Sequence, residues 1–180
     1  MTTTTQGSRN KNILYFAIGS TVAFMLYITF VLTPTGACFK LDSGSNSLGL
    51  SFSYTNDMVQ NFLESRTKEQ LLCYSQFLQI WDAIFAIIYT LMYASWIVYM
   101  FNNKSWLALI PVLGMVSDWS ENYVELLIIK AYLNAAPISD ELVSIGSGIN
   151  SFKWILSSLT YLIILFGIII AIRNFFARLK

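Results

Sequence analysis

Four acidic side chains lie inside strongly apolar stretches of this chain, and three of them share one helical stripe. Asp118, Glu121, Asn122 and Glu125 stand at i, i+3, i+4 and i+7, a spacing that stacks them on one face of an α-helix. Asp82 lies in the apolar stretch before them. A carboxylate at membrane depth costs about 2.5–3.5 kcal/mol on insertion scales, so such groups face a bundle interior or a wet cavity and mark a site. Several chemistries fit. If all ionise, carboxylates in excess over Lys153 and Lys130 leave uncompensated negative charge, so some are protonated or a cation compensates. Asp82, Asp118 and Glu121 offer all-oxygen ligands suited to a hard cation such as Ca²⁺ or Mg²⁺. An amine or a lipid headgroup would sit among the same acids, with Trp81, Tyr89 and Tyr93 adding cation–π contact. A carboxyl pair can also move a proton on and off a lipid substrate.

The competing reading is structural. In a scaffold or accessory subunit, the acids would simply pair with Lys153, Lys130 and the tyrosines. Interhelical polar bonds contribute only about 0.6–2 kcal/mol each. That is small against the insertion cost of four carboxylates, which favours a further use. No catalytic residue can be named. Histidine is absent, which removes the usual general base and metal ligand. No nucleophile motif, phosphate loop or cofactor fingerprint is present, so no cofactor is evident. A net charge of +1 gives no basic footprint for nucleic acid.

The acids need helices to hold them. The 180 residues are 56% hydrophobic and 12% charged, against about a quarter charged in soluble domains. Apolar stretches near the ~20 residues of a spanning helix occur at about 13–32, 77–101, 106–129 and 152–172. The first is longer than the apolar part of a cleaved signal, although small residues follow it from Thr33 to Cys38. Arg9, Lys11, Lys104, Arg173, Arg178 and Lys180 all fall on one face, and every Asp and Glu lies elsewhere. The positive-inside rule then puts both termini in the cytoplasm. Two outer loops remain, 33–76 and about 130–151. Cys38 and Cys73 bracket the first loop, where an oxidising compartment would let them pair. The alternative is two free thiols.

Within this frame, Gly19 and Ala23 form a small-xxx-small step that admits a close helix, and Thr33-Pro34 ends the first helix. Residues 41–47 are turn-rich. Residues 48–54 alternate like an extended piece. Asp57–Ser65 reads as a short amphipathic helix with Met58, Val59, Phe62 and Leu63 on one side. Thr67 and Gln70 form a capping box that starts helix two near Lys68. Asp82, Phe85, Tyr89, Tyr93 and Trp96 share one face of that helix. Pro111 and Gly114 predict a kink in helix three. Gly146-Ser147-Gly148 ends the last loop, and helix four starts near Ser151. Depth matching then brings Asp82, Asp118, Glu121, Asn122, Glu125 and Lys153 together in the outer half, with Lys130 at the rim.

Gly49-Leu50-Ser51-Phe52-Ser53-Tyr54, then Tyr74, Trp81-Asp82, Leu109-Ile110-Pro111-Val112-Leu113 and Asp118-x-x-Glu121-Asn122 form a recognisable series. It resembles a set of small four-helix membrane proteins widespread in bacteria, with an Asp opening helix two and Asp-x-x-Glu-Asn in helix three. The resemblance covers about Leu48 to Leu127. It implies the architecture, the acidic site and a bacterial inner or plasma membrane, and assigns no activity. The layout is similar in outline to claudin-like proteins, whose Trp-x-Gly-Leu-Trp and Cys-Cys marks are missing. Four-helix sterol isomerase relatives also use buried acids, but their catalytic His has no counterpart here. The expectation is a single all-α domain over 1–180, a four-helix transmembrane bundle with a long outer loop carrying a short helix. Its partners are the lipid bilayer and either a membrane protein or further copies of itself. Four helices without a visible repeat leave little room for alternating access by this chain alone.

Overall fold

The computed structural model describes residues 3–41 and 47–177. Most of the turn-rich stretch 41–47 lies outside the described residues, as do Arg178 and Lys180. Among the described residues the chain is all-helical, with no strand. Three helices are long and apolar enough to cross a membrane: Lys11–Phe39, Lys68–Met100 and Asp140–Ala177.

Helix α1 covers Thr3–Tyr27. It passes through a π turn, Ile28–Leu32, into Thr33–Thr35 and a 3₁₀ turn, Gly36–Phe39. Thr33-Pro34 therefore does not stop the helical path. Pro34 sits at the start of the resumed turn, where a missing N–H costs little. Tyr15, Phe16, Met25 and Phe30 on α1 are more than half exposed. A helix with that surface is unstable in water and suited to lipid.

The short helix α2, Asn56–Glu64, starts where the Thr55 hydroxyl accepts the Met58 N–H. Val59, Phe62 and Leu63 are buried while Met58 is exposed. The buried face packs into a cluster with Phe39, Leu71, Tyr74, Ile128 and Val143, so α2 lies on the end of the bundle. Residues 48–54 are not one extended piece. Leu48–Leu50 forms a 3₁₀ turn between extended Ser47 and Ser51, because Leu48 turns inward to join that cluster.

Helix α3 comprises Lys68–Gln76, a π turn at Phe77–Asp82, and Ala83–Met100. Thr67 and Gln70 form both halves of the capping box. A non-helical break at Lys104 inside the 3₁₀ segment Asn102–Ala108 leads into α4, Leu109–Leu133. Pro111 thus falls in the first turn of α4, where no intrahelical bond is lost, and the predicted kink has no cause there. Helix α5 runs without a break from Asp140 to Ala177, starting eleven residues before Ser151. The expected loop glycines are helical. Gly146 is there for closeness: a Cβ would stand 2.8 Å from Val124 Cγ1 and would overlap the Tyr54 hydroxyl. The Tyr54 N–H donates to Ser147 Oγ at 2.9 Å.

Helix α4 packs along α5 and α3, while α1 packs along α3. The end of the bundle that carries residues 36–76 is closed further by Cys38 and Cys73, at disulfide distance with Cα atoms 6.4 Å apart. Beside them the buried Arg66 guanidinium lies 3.7 Å over the Phe62 ring. It donates to the Phe62 and Phe39 carbonyls at 2.8 and 3.2 Å. Burial pulls the pKa of Arg66 below its ordinary value, against a smaller opposing effect of Tyr74.

Candidate functional site

The stripe on α4 forms as its spacing dictates. Ser117, Asp118, Glu121, Asn122 and Glu125 are all buried, while Val116, Trp119 and Tyr123 on the opposite side are exposed. Asp82 arrives from α3 at the end of the π turn, a wide turn that re-aims side chains and recurs at functional sites. Lys153 comes from α5. These groups line one cavity of about 240 Å³ below the 47–50 turn.

Each acid has a defined neighbour. Lys153 Nζ lies 3.2 Å from Asp118 Oδ1 and donates to Glu121 Oε2. Asn122 Nδ2 donates to Asp82 Oδ2 at 2.8 Å. The Tyr89 hydroxyl donates to Asp118 Oδ2 at 3.2 Å, and the Tyr74 hydroxyl to Glu125 Oε2 at 2.5 Å. Tyr74 is in turn 2.8 Å from Ser47 Oγ. Two carboxylate oxygens are left over. Glu121 Oε1 and Glu125 Oε1 are buried with no hydrogen-bond partner among the described residues. Four acids thus share one lysine in the cluster. Lys130 is exposed at the end of α4 and does not join it.

Tyr89 and Tyr93 line the cavity as the sequence suggests, with Phe85, Trp154 and Tyr161 completing an aromatic wall. Trp81 is not on that wall. It is half-buried, and its backbone carbonyl accepts the Tyr27 hydroxyl of α1 at 2.8 Å. Trp96 also turns to α1, donating to Thr21 Oγ1 at 2.9 Å. Asp82, Asp118 and Glu121 share the cavity. Among the described residues, however, no group of three or more His, Cys, Asp or Glu is gathered closely enough to hold a metal ion.

Four further contributors were not among the expected site residues: Gly49 and Tyr54 come from the outer connection, Tyr74 from the first part of α3, and Tyr161 from mid-α5, at i+8 from Lys153 on the same stripe. The Gly49 carbonyl roofs the cavity. It accepts from Lys153 Nζ at 3.3 Å and from Trp154 Nε1 at 3.0 Å. A Cβ on Gly49 would stand 2.8 Å from Glu121 Oε1, so a side chain there would displace the Glu121 carboxyl group. Tyr74 supplies the partner of Glu125. Tyr161 closes the floor against Tyr93, ring centroids 5.6 Å apart. Tyr54, from the outer connection, buries a hydroxyl that has no partner among the described residues. Burial, and then the charges of Glu125 and Glu121, push its pKa well above the ordinary phenol value. A neutral O–H is therefore held beside the acids.

The residues that line the cavity thus include four acids, one lysine, one asparagine, two serines and a wall of aromatic and aliphatic side chains. No protein-family model, no curated protein and no solved structure matches the chain.

Proposed function

We propose that the chain is a multi-pass membrane protein of four spans whose outer-half cavity binds a positively charged amine. Helix α4 acts as the fourth span. Its 25 residues reach about 37 Å at 1.5 Å per residue, and its acids face α3 and α5 while Leu113, Val116 and Tyr123 face outward. The end with the 47–50 turn and α2 is extracellular or periplasmic. The basic termini are cytoplasmic. Cys38 and Cys73 at bridging distance suit an oxidising outer face.

The observation that carries the binding reading is one cavity lined by four acids, a single lysine and aromatic rings, in which Asp82 and Asp118 keep accessible surface. An ammonium group donates three hydrogen bonds and carries the missing charge. The rings of Tyr89, Tyr93 and Phe85 give its carbon atoms apolar and cation–π contact.

The test is Asp118→Asn, which keeps shape and removes charge. Butylammonium is titrated by calorimetry into the detergent-solubilised protein. Affinity is expected to fall at least tenfold while the melting temperature stays within a few degrees. Ca²⁺ and Mg²⁺ are titrated in parallel. Saturable binding of either metal, with none of butylammonium, would replace the amine with a hard cation.

A second reading has its own support, since every acid already has a protein partner: Lys153, Asn122, Tyr74 or Tyr89. In a structural subunit these bonds would serve only to pin helices. Asp118→Asn would then lower the melting temperature substantially, and any partner that co-purifies would be lost only in step with folding.

A further inference from the structure

The cavity has a roof but lacks one wall. Above the acids, Gly49 binds Lys153 and Trp154 and leaves no space over Glu121. Toward α3 and α4 the boundary is continuous helix packing. Between α1 and α5 there is no such packing: α1 lies along α3 and makes no extended contact with α5. Yet Phe24 of α1 and Ser157 and Tyr161 of α5 all line the cavity. The space between these two helices is therefore the cavity's open side.

Tyr161 makes the direction of that opening explicit. It lines the cavity and is still 48% exposed. It stands eight residues beyond Lys153 on α5, about 12 Å further along the helix, in a stretch flanked by exposed Leu162 and Leu165. In a spanning helix this depth is hydrocarbon, so the opening faces lipid tails rather than water.

We infer that the cavity is entered sideways from the bilayer between α1 and α5 by a single-chain amphiphile with a free, phosphate-less amine headgroup. This rests on the amine-binding reading above. The headgroup would meet Asp82 and Asp118, the acids of the cavity that are not sealed: Asp82 is half-buried and the Asp118 side chain is 10% exposed. About 240 Å³ accommodates a headgroup and the first carbons, leaving the rest of the chain along the α1–α5 cleft. A phosphate beside the amine is disfavoured because the acids of the pocket outnumber its one lysine. The only lysine in the pocket is already shared by Asp118, Glu121 and the Gly49 carbonyl.

The protein in lipid nanodiscs is incubated with dodecylamine, dodecanol or butylamine, and occupancy is read by native mass spectrometry. Dodecylamine is expected to be retained at least tenfold better than dodecanol at equal mole fraction in the bilayer. Ser157→Phe fills the side opening without touching an acid. It should lower dodecylamine occupancy at least tenfold and lower butylamine occupancy far less, because butylamine needs no room in the cleft. Ser157→Leu serves the same purpose if the larger ring prevents folding, and the chain comparison on the unaltered protein stands without either. Butylamine binding with no retention of dodecylamine, or dodecylamine binding that ignores both Ser157 variants, overturns the sideways route and leaves the amine site standing. Absence of binding by both amines, or dodecanol retained as well as dodecylamine, overturns the amine site and this inference together.

Discussion

The two halves of this bundle are held by different physics. In the half that carries the 47–50 turn and α2, helices meet through ionised and hydrogen-bonded groups: Lys153 with Asp118 and Glu121, Asn122 with Asp82, Tyr74 with Glu125. In the half that carries the termini, the helices meet through small residues and short hydroxyl contacts. Gly167 lies so close to Met100 that a Cβ would fall 2.6 Å from its Sδ. Ser20 meets Ser95 at 3.2 Å. The first half has groups that satisfy each other only in one arrangement. The second has groups that remain satisfied when a neighbour is lost. Buried polar groups of the first kind give large penalties on deletion, so single substitutions should separate the halves by their size of effect.

The largest effect is expected at Lys153. Lys153→Met keeps the aliphatic stem and removes the ammonium, leaving Asp118 and Glu121 buried against each other. Breaking one partner of a buried ion pair costs about 3–5 kcal/mol. Reversible unfolding in mixed detergent micelles should show that loss. The triple variant with Asp118→Asn and Glu121→Gln should recover most of it, because a neutral site needs no counter-charge. A loss under about 1 kcal/mol for Lys153→Met would mean that the two halves do not differ in this way.

Next is the covalent clamp on the same half. With Cys38 and Cys73 separated by 35 positions, a bridge removes about 3.8 kcal/mol of chain entropy from the unfolded state on the loop-closure model. Reductant, or the double Cys→Ser variant, should lower stability by roughly 2–4 kcal/mol. The site residues on α4 and α5 should keep their pairing, since none of them depends on the loop for its helix. Equal stability with and without reductant would show that the cysteines are not bridged.

How much of this was legible in the sequence follows the same division. The α4 stripe was readable because i, i+3, i+4, i+7 is a geometric consequence of the helix, and burial of Asp118, Glu121, Asn122 and Glu125 follows it. Helix α3 starts at Lys68 because the capping box at Thr67 and Gln70 is a local signal. The roof was not readable. Gly49 joins Lys153 and Glu121 across more than seventy residues of chain, and a lone glycine carries no spacing. The start of α5 was misplaced for a related reason. Gly146 and Gly148 weaken a helix by propensity, and here tertiary contact with Tyr54 and Val124 decides instead. The π turn that ends at Asp82 has no sequence signature, and Trp81 within it is not among the residues that line the cavity.

Tyr74 tests the polar half at intermediate size. Tyr74→Phe preserves a fully buried ring that packs on Phe39 and Phe62, centroids 4.7 and 5.1 Å away. It removes only the hydroxyl that donates to Glu125. Glu125 then has no hydrogen-bond partner on either oxygen among the described residues, which should cost about 1–3 kcal/mol. Adding Glu125→Leu should reverse much of the loss by removing the stranded acceptor. If the double variant is less stable than Tyr74→Phe alone, Glu125 has a further partner and the network extends beyond these two residues.

The smallest effect is expected in the other half, and it is the sharpest test of the comparison. Ser20 and Ser95 hydroxyls touch across α1 and α3, but neither depends on the other. Ser20 donates to the Ala17 carbonyl at 3.0 Å and Ser95 to the Met92 carbonyl at 2.8 Å, each within its own helix. Ser20→Ala therefore leaves Ser95 still bonded, and the residue that replaces Ser20 has nothing to satisfy. Interhelical polar bonds average about 0.6 kcal/mol in membrane bundles, and alanine is the better helix former, which offsets part of that. The net change should lie within about 0.5 kcal/mol of zero. It is read in the same micelle unfolding assay as Lys153→Met, so the ratio of the two is independent of detergent. A loss above about 1.5 kcal/mol would mean that this half also relies on one fixed polar arrangement, and the distinction between the halves would fail where it is expected to be clearest.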